Sequence, residues 1–134
     1  MVIRQYIQNW ETYKRVIVVS DEGSVFFDLY QQPIYDISNP VKCVIWGLFV
    51  ENTFRNKGIA KQLLQYAENI IKQSGESLVA VIYENSTPLW VLEWYMKNGY
   101  EFYQRLNDTG TLLIKTISIT EVLLKKDLQF MQQD

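Results

Sequence analysis

Histidine is missing from all 134 residues, and no other absence excludes as much. Without an imidazole there is no Ser-His-Asp or Cys-His nucleophile arrangement and no His-containing zinc site. Cysteine is nearly absent too. Cys43 stands alone, so no intrachain disulfide forms and thiolate zinc sites are excluded. It sits in the apolar run KCVIWGLFV, where a buried, inert thiol is a better reading than a reactive one. No stretch of about 18 apolar residues is present to span a membrane. The opening residues MVIRQYIQNW carry neither a long apolar run nor a small-residue cleavage pattern. A cytoplasmic location without a membrane partner is the default expectation. Excess positive charge is also lacking: a net charge of −2 and a pI near 5.2 leave no basic footprint for a nucleic-acid partner. No metal is expected. Catalysis has to draw on carboxylates, tyrosine, lysine, backbone donors or a bound cofactor.

What is present reads as one domain over residues 1–117, followed by a tail over 118–134. Aromatic residues make up 14% of the chain, with nine Tyr and four Trp, which suits a sheet-rich core. VIRQYI (2–7) alternates as a first strand, and Asn9 is placed to cap a brief helical turn through WETYK. RVIVVS (15–20) and SVFFDLY (24–30) flank the turn residues Asp21-Glu22-Gly23 and form a hairpin. QQPIYDISNP (31–40) is a loop. VKCVIWGLFV (41–50) is continuously apolar, as in a strand covered on both faces.

From about Asn56 the period changes. Ile59, Leu63, Ala67 and Ile70, with Ala60, Leu64 and Ile71, predict an amphipathic helix to about Gln73, closed by Gly75. SLVAVIYE (77–84) follows as a strand, so strand, helix and strand form a right-handed parallel crossover. Thr87 and Pro88 open a second helix over 89–98, with Leu89, Leu92 and Met96 on one face and enough aromatic residues around it to be well buried. Gly99 ends it. YEFYQRL (100–106) and TLLIKTI (111–117) close the domain as a hairpin, and SITEVLLKKDLQFMQQD reads as a terminal helix. The fold class is a mixed α/β sheet with helices against it.

The segment Arg55-Asn56-Lys57-Gly58-Ile59-Ala60 joins a buried strand to the first helix. A first helical turn leaves backbone N–H groups without partners and carries partial positive charge, a ready seat for phosphate. Gly58 removes a side chain where the anion approaches, Ala60 keeps the turn slim, and Arg55, Lys57 and Lys61 add positive charge. The plainer alternative is a helix that merely begins with glycine among basic residues. The P-loop spacing and the dinucleotide fingerprint are both absent.

LFVENTFRNKGIAKQLL, with its Arg-x-x-Gly-x-Ala core, resembles the coenzyme A motif of the GNAT superfamily of N-acetyltransferases. EWYMKNGYEF (93–102) is similar to a second segment of that family, and the order and spacing agree over roughly 41–117. The resemblance implies a GNAT fold, with a mostly antiparallel sheet and one parallel crossover. It implies acetyl-CoA as co-substrate, its pyrophosphate held by backbone amides of Asn56, Lys57, Gly58, Ile59, Ala60 and Lys61 beside Arg55. Phe49 and Val50 would pair with the pantetheine arm where two strands splay apart. Tyr95 falls where the family often has a tyrosine general acid. The family frequently has Asn where this chain has Pro88, and Asn85 is the nearby substitute. Independently of the resemblance, a phenol with a pKa near 10 is a reasonable proton donor to a departing thiolate whose thiol titrates near 8.5. The competing reading of Tyr95 is a core tyrosine.

The general base stays open among Asp28, Asp36, Glu51, Glu84 and Glu93, each of which also reads as a solvated surface carboxylate. Only WETYK occupies the place where the family usually has a helical segment lining the acceptor site. The loop 28–40, with Tyr30, Tyr35 and Asp36, is either a replacement wall or a solvated connector, and a second subunit could complete the site as a homodimer. The expected function is acetyl transfer to a primary amine of a small molecule or peptide. The rival is a non-catalytic acyl-CoA-binding or protein-interaction module of the same fold.

Overall fold

The computed structural model describes residues 2–34, 41–107 and 109–117. The strands are β1 (Arg4–Asn9), β2 (Tyr13–Val19), β3 (Gly23–Tyr30), β4 (Cys43–Val50), β5 (Leu78–Glu84), β6 (Glu101–Leu106) and β7 (Gly110–Thr116). Two helices, α1 (Ile59–Gln73) and α2 (Leu89–Lys97), lie on either side of β5 in sequence, and a short 3-10 turn spans Asn52–Phe54. The strands form one sheet in the order β1-β2-β3-β4-β5-β7-β6. Every neighbouring pair is antiparallel except β4 with β5, as the crossover through α1 requires.

Both helices cover the same face. Val16, Val18, Val25, Phe27, Cys43, Ile45, Val79, Val81 and Leu113 from the strands meet Leu63, Leu64, Ala67 and Ile71 from α1 in one buried cluster. Alternation along β2 sends Val16 and Val18 into this layer and leaves Arg15, Ile17 and Val19 on the other face. That second face carries a smaller cluster of Val41, Val44, Ala80, Leu112 and Ile114. There the buried Asp28 is gripped by Arg15, whose Nε and Nη2 donate to Oδ1 and Oδ2 at 2.7 and 2.9 Å.

Several sequence expectations are corrected. Asn9 caps no helical turn: β1 and β2 form a tight hairpin in which Asn9 pairs with Lys14 and the Trp10 N–H donates to the Tyr13 carbonyl at 2.9 Å. Ladder hydrogen bonds continued to the strand ends outweigh one local cap. The first helix begins at Ile59 rather than near Asn56, because Asn56 and Gly58 have φ of 64° and 76° and cannot belong to a right-handed turn. The second helix begins at Leu89 as expected, but Pro88 takes the cap position and Thr87 makes no side-chain cap.

The second helix is also less buried than its composition implied. Leu89, Trp90 and Met96 are 63%, 66% and 52% exposed, while Leu92, Trp94 and Tyr95 pack on the core. A nine-residue helix lying on one sheet face buries one stripe. That stripe centres on Tyr95, roughly a third of a turn from Leu89 and Met96 at about 100° per residue. β4 is covered on both faces only at Cys43, Val44 and Ile45. The terminal helix expected over 118–134, and Tyr35 and Asp36 of the expected acceptor wall, lie outside the described residues.

Candidate functional site

β4 and β5 pair only at Val44 with Ala80 and Ile45 with Val81. Beyond those residues the two parallel strands part, opening a cleft between Trp46–Val50 and Ile82–Glu84. The parting coincides with a β-bulge: Phe26 faces Gly47 and Phe27 faces Ile45, leaving Trp46 unpaired in the ladder. A bulge bends its strand and re-aims the side chain it carries, and Trp46 emerges 43% exposed. Gly47 leaves room for the Phe26 ring opposite it, because a Cβ there would lie 2.2 Å from Cε1 of Phe26.

At the mouth of the cleft the chain turns from β4 into α1. Gly58 is the N-cap in left-handed conformation, and an added Cβ would meet nothing within 4 Å. Glycine is therefore required there by its φ rather than by crowding, and the approach to the backbone stays open. The first helical hydrogen bond runs from the Gln62 N–H to the Gly58 carbonyl at 3.1 Å, so the amides of Ile59, Ala60 and Lys61 precede the helical ladder. No acidic residue occupies this first turn. Arg55, Asn56, Lys57 and Lys61 are exposed around it. Lys57 rests its ammonium 5.7 Å from the Phe54 ring, and Arg55 folds back so that Nε donates to the Val50 carbonyl at 3.2 Å. This residue set fits a diphosphate: open donors, positive charge and no carboxylate in the turn.

The cleft and the helices share one floor. Val50 at the end of β4, Ile59 at the start of α1, Tyr83 of β5 and Tyr95 of α2 all pack against the same core cluster. Tyr95 is largely buried, and burial pushes its phenol up to about 12. Its hydroxyl makes no hydrogen bond among the described residues. Phe49 projects to the opposite side of β4 and is 52% exposed. Asn85 lies in the turn before α2, where its N–H donates to the Thr109 carbonyl at 2.9 Å. The same turn is tied by the Tyr83 hydroxyl donating to the Thr87 carbonyl at 2.6 Å.

The carboxylates considered as bases separate clearly. Asp28 is committed to Arg15, while Glu51, Glu84 and Glu93 are exposed. Sequence reasoning passed over Glu22, read there only as a turn residue. Its Oε2 is buried with no hydrogen-bond partner among the described residues, and its carbonyl accepts from the Glu51 N–H at 2.9 Å beside the end of β4. The Trp46 bulge was also missed, since one extra residue in an apolar run leaves no mark on the pattern. A cavity of about 280 Å³ lined by Trp10, Tyr13, Tyr30 and Glu76 lies at the opposite end of the sheet from the cleft. Among the described residues no cluster of side chains could hold a metal ion, and no helix is long and apolar enough to cross a membrane.

A family model described as an acetyltransferase (GNAT) domain matches residues 12–106. No significant match was found among curated protein sequences. Solved structures match in 135 chains. One is the PaiA N-acetyltransferase from Thermoplasma acidophilum in complex with coenzyme A, 17% identical with a TM-score of 0.60, the match covering 78% of this chain and 61% of that one. Another is a GNAT family acetyltransferase from Elizabethkingia anophelis with acetyl-CoA bound, 18% identical, TM-score 0.59, covering 79% and 77%. A third is the ribosomal-protein-S18-alanine N-acetyltransferase from Escherichia coli, 11% identical, TM-score 0.58, covering 82% and 72%. At these identities the likeness is one of fold, and this chain spans 61% of the Thermoplasma protein's length.

Proposed function

Because the chain belongs to the GNAT acetyltransferase family, whose chemistry is acyl transfer, we propose that it moves an acetyl group from acetyl-CoA directly to a primary amine. The observation that carries this reading is the left-handed Gly58 cap, which opens the first amides of α1 at the mouth of the β4–β5 cleft. In this reading the amides of residues 56–61 hold the pyrophosphate, with Arg55, Lys57 and Lys61 adding charge. The free strand edge at Phe49 and Val50 pairs with the pantetheine arm. The Val50 carbonyl, already bonded to Arg55, retains a second lone pair for it.

The acceptor nitrogen attacks the thioester carbonyl carbon, a C–N bond forms, the C–S bond breaks, and sulfur leaves with the electron pair. Tyr95 supplies the hydrogen-bond donor to that sulfur. With its phenol pushed up to about 12, it is a weaker acid than a thiol near 8.5. Its role is therefore to stabilise the charge developing on sulfur, while the proton finally taken by the thiolate derives from the amine. The acidic net charge favours a cationic acceptor, free or on a peptide, in the cytoplasm.

Titration calorimetry with acetyl-CoA, with adenosine diphosphate as comparison, tests the seat. Micromolar binding that weakens at least tenfold in Gly58→Glu is expected, and equal affinity for wild type and variant would refute it. One observation favours the rival reading of a non-catalytic module: where the family usually has a helical segment, β1 and β2 are joined by a tight turn. Acetyl transfer to any member of an amine panel excludes that reading, whereas coenzyme binding without transfer supports it.

A further inference from the structure

Behind Tyr95 lies a buried polar group that the transfer chemistry does not use. Glu68, in the middle of α1, is 7% exposed, and both of its carboxylate oxygens are engaged. The Tyr100 hydroxyl donates to Oε2 at 2.8 Å, and Lys115 Nζ of β7 donates to Oε1 at 3.0 Å. The same ammonium lies 5.7 Å from the centre of the Tyr100 ring. Tyr100 is 1% exposed, so its ring is held at the hydroxyl, over its face and by the surrounding core.

Tyr100 is coupled to Tyr95 twice. Its N–H donates to the Tyr95 carbonyl at 3.1 Å, closing the end of α2. Its ring meets the Tyr95 ring edge-on at 5.6 Å and 80°, a geometry favoured by the aromatic quadrupoles. Trp94 packs on Tyr95 in a similar edge contact at 5.1 Å. The Tyr95 ring is thus wedged between a neighbour on its own helix and a ring whose far end is anchored to an ion pair bridging α1 and β7.

Burying a carboxylate costs several kcal/mol unless it is paired and fully hydrogen-bonded. An apolar residue at position 68 would serve packing alone. On the acyl-transfer reading above, we infer that Glu68 and Lys115, acting through Tyr100, are positioning residues that hold the phenol of Tyr95 toward the cleft. Fixing a donor in advance matters because a misplacement of about 1 Å at a reacting centre costs on the order of a hundredfold.

The test uses the full chain with 13C at Cζ of tyrosine, the Tyr95 signal being the one lost in Tyr95→Phe. Tyr100→Phe keeps the ring but drops the anchor, and Glu68→Gln keeps the shape but drops the charge. Both are expected to move or broaden the Tyr95 signal, as is Lys115→Met, while Lys115→Arg preserves it. A Tyr95 signal unchanged in Tyr100→Phe and Glu68→Gln overturns the inference. The kinetic arm expects kcat to fall on the order of tenfold in Tyr100→Phe at unchanged KM for acetyl-CoA. That penalty disappears when Tyr95→Phe is already present; a penalty that persists there marks a purely structural role and equally overturns the inference. If no amine is acetylated while the Tyr95 signal responds as expected, the acyl-transfer reading falls and the positioning contact stands.

Discussion

Tyr95 combines two properties that pull in different directions: it is buried enough to resist ionisation, yet its hydroxyl has no hydrogen bond among the described residues. Tyr95→Phe should lower kcat about a hundredfold, within the range for loss of one preorganised hydrogen-bond donor to developing charge, while calorimetry shows acetyl-CoA affinity within twofold of wild type. Turnover unchanged in that variant removes Tyr95 from the mechanism. Its pKa, raised from 10.0 to about 12, also fixes a pH window. A phenol raised in the folded state leaves stability intact below its unfolded value and withdraws it as pH climbs through the folded one. Urea midpoints should therefore fall between about pH 10 and 12, and less steeply in Tyr95→Phe. Tyr100, raised by burial and then by Glu68, contributes in the same direction. A slope identical in the two proteins would refute the burial of the phenol. Arg15 offers a separate test on the other face. Arg15→Met leaves the buried Asp28 carboxylate unpaired and should cost about 3 kcal/mol in urea unfolding, whereas a cost below about 1 kcal/mol would mark an ordinary surface pair.

At the scale of elements, the N-terminus of α1 separates conformational from steric demands. Gly58 needs a positive φ but has open space beside it. Gly58→Asn, which tolerates the left-handed region, should lose little stability. Gly58→Val should lose about 2 kcal/mol, since a β-branched residue is a genuine outlier there. Equal stabilities in thermal melts would mean that the cap conformation is not maintained. The two helices show how far pattern reading reaches. In α1 the apolar spacing of Leu63, Leu64, Ala67 and Ile71 matches the buried set except for Glu68, because a long helix with a clear polar face has one way to lie. In α2 the pattern was misleading, because Leu, Trp, Tyr and Met occur all round it and periodicity cannot choose a face. The choice came from the edge contact with Tyr100 and the capping bond that follows Gly99.

For the whole molecule, the seven strands form one sheet whose two faces are treated differently: both helices cover one, and no helix covers the other among the described residues. Coenzyme binding to the cleft should stabilise the folded state by mass action, about 2.7 kcal/mol at a ligand concentration a hundred times Kd. Differential scanning fluorimetry should then register a rise of roughly 10 °C with acetyl-CoA, and a smaller one with adenosine diphosphate. No shift with either ligand, in a protein that melts cooperatively, argues against the cleft as a binding site.

The strand–helix–strand core and the glycine at the start of α1 were legible in the amino-acid sequence, because the period changes from strand to helix at a residue that favours a positive φ. The helix that carries Tyr95 was legible as well, since Pro88 and Gly99 mark its two ends locally. Those features depend on neighbours within a few residues, and chain order preserves them. Tertiary structure alone decided the rest. Two paired positions are all that join β4 to β5, so the cleft exists only as a relation between strands more than 30 residues apart. The Trp46 bulge depends on what β3 places opposite it. The meeting of Glu68, Tyr100 and Lys115, at separations of 32 and 47 residues, has no local signature. Glu68 alone looks like any polar residue on a helix, and burial against two distant partners is what turns it into a fixed charge behind Tyr95.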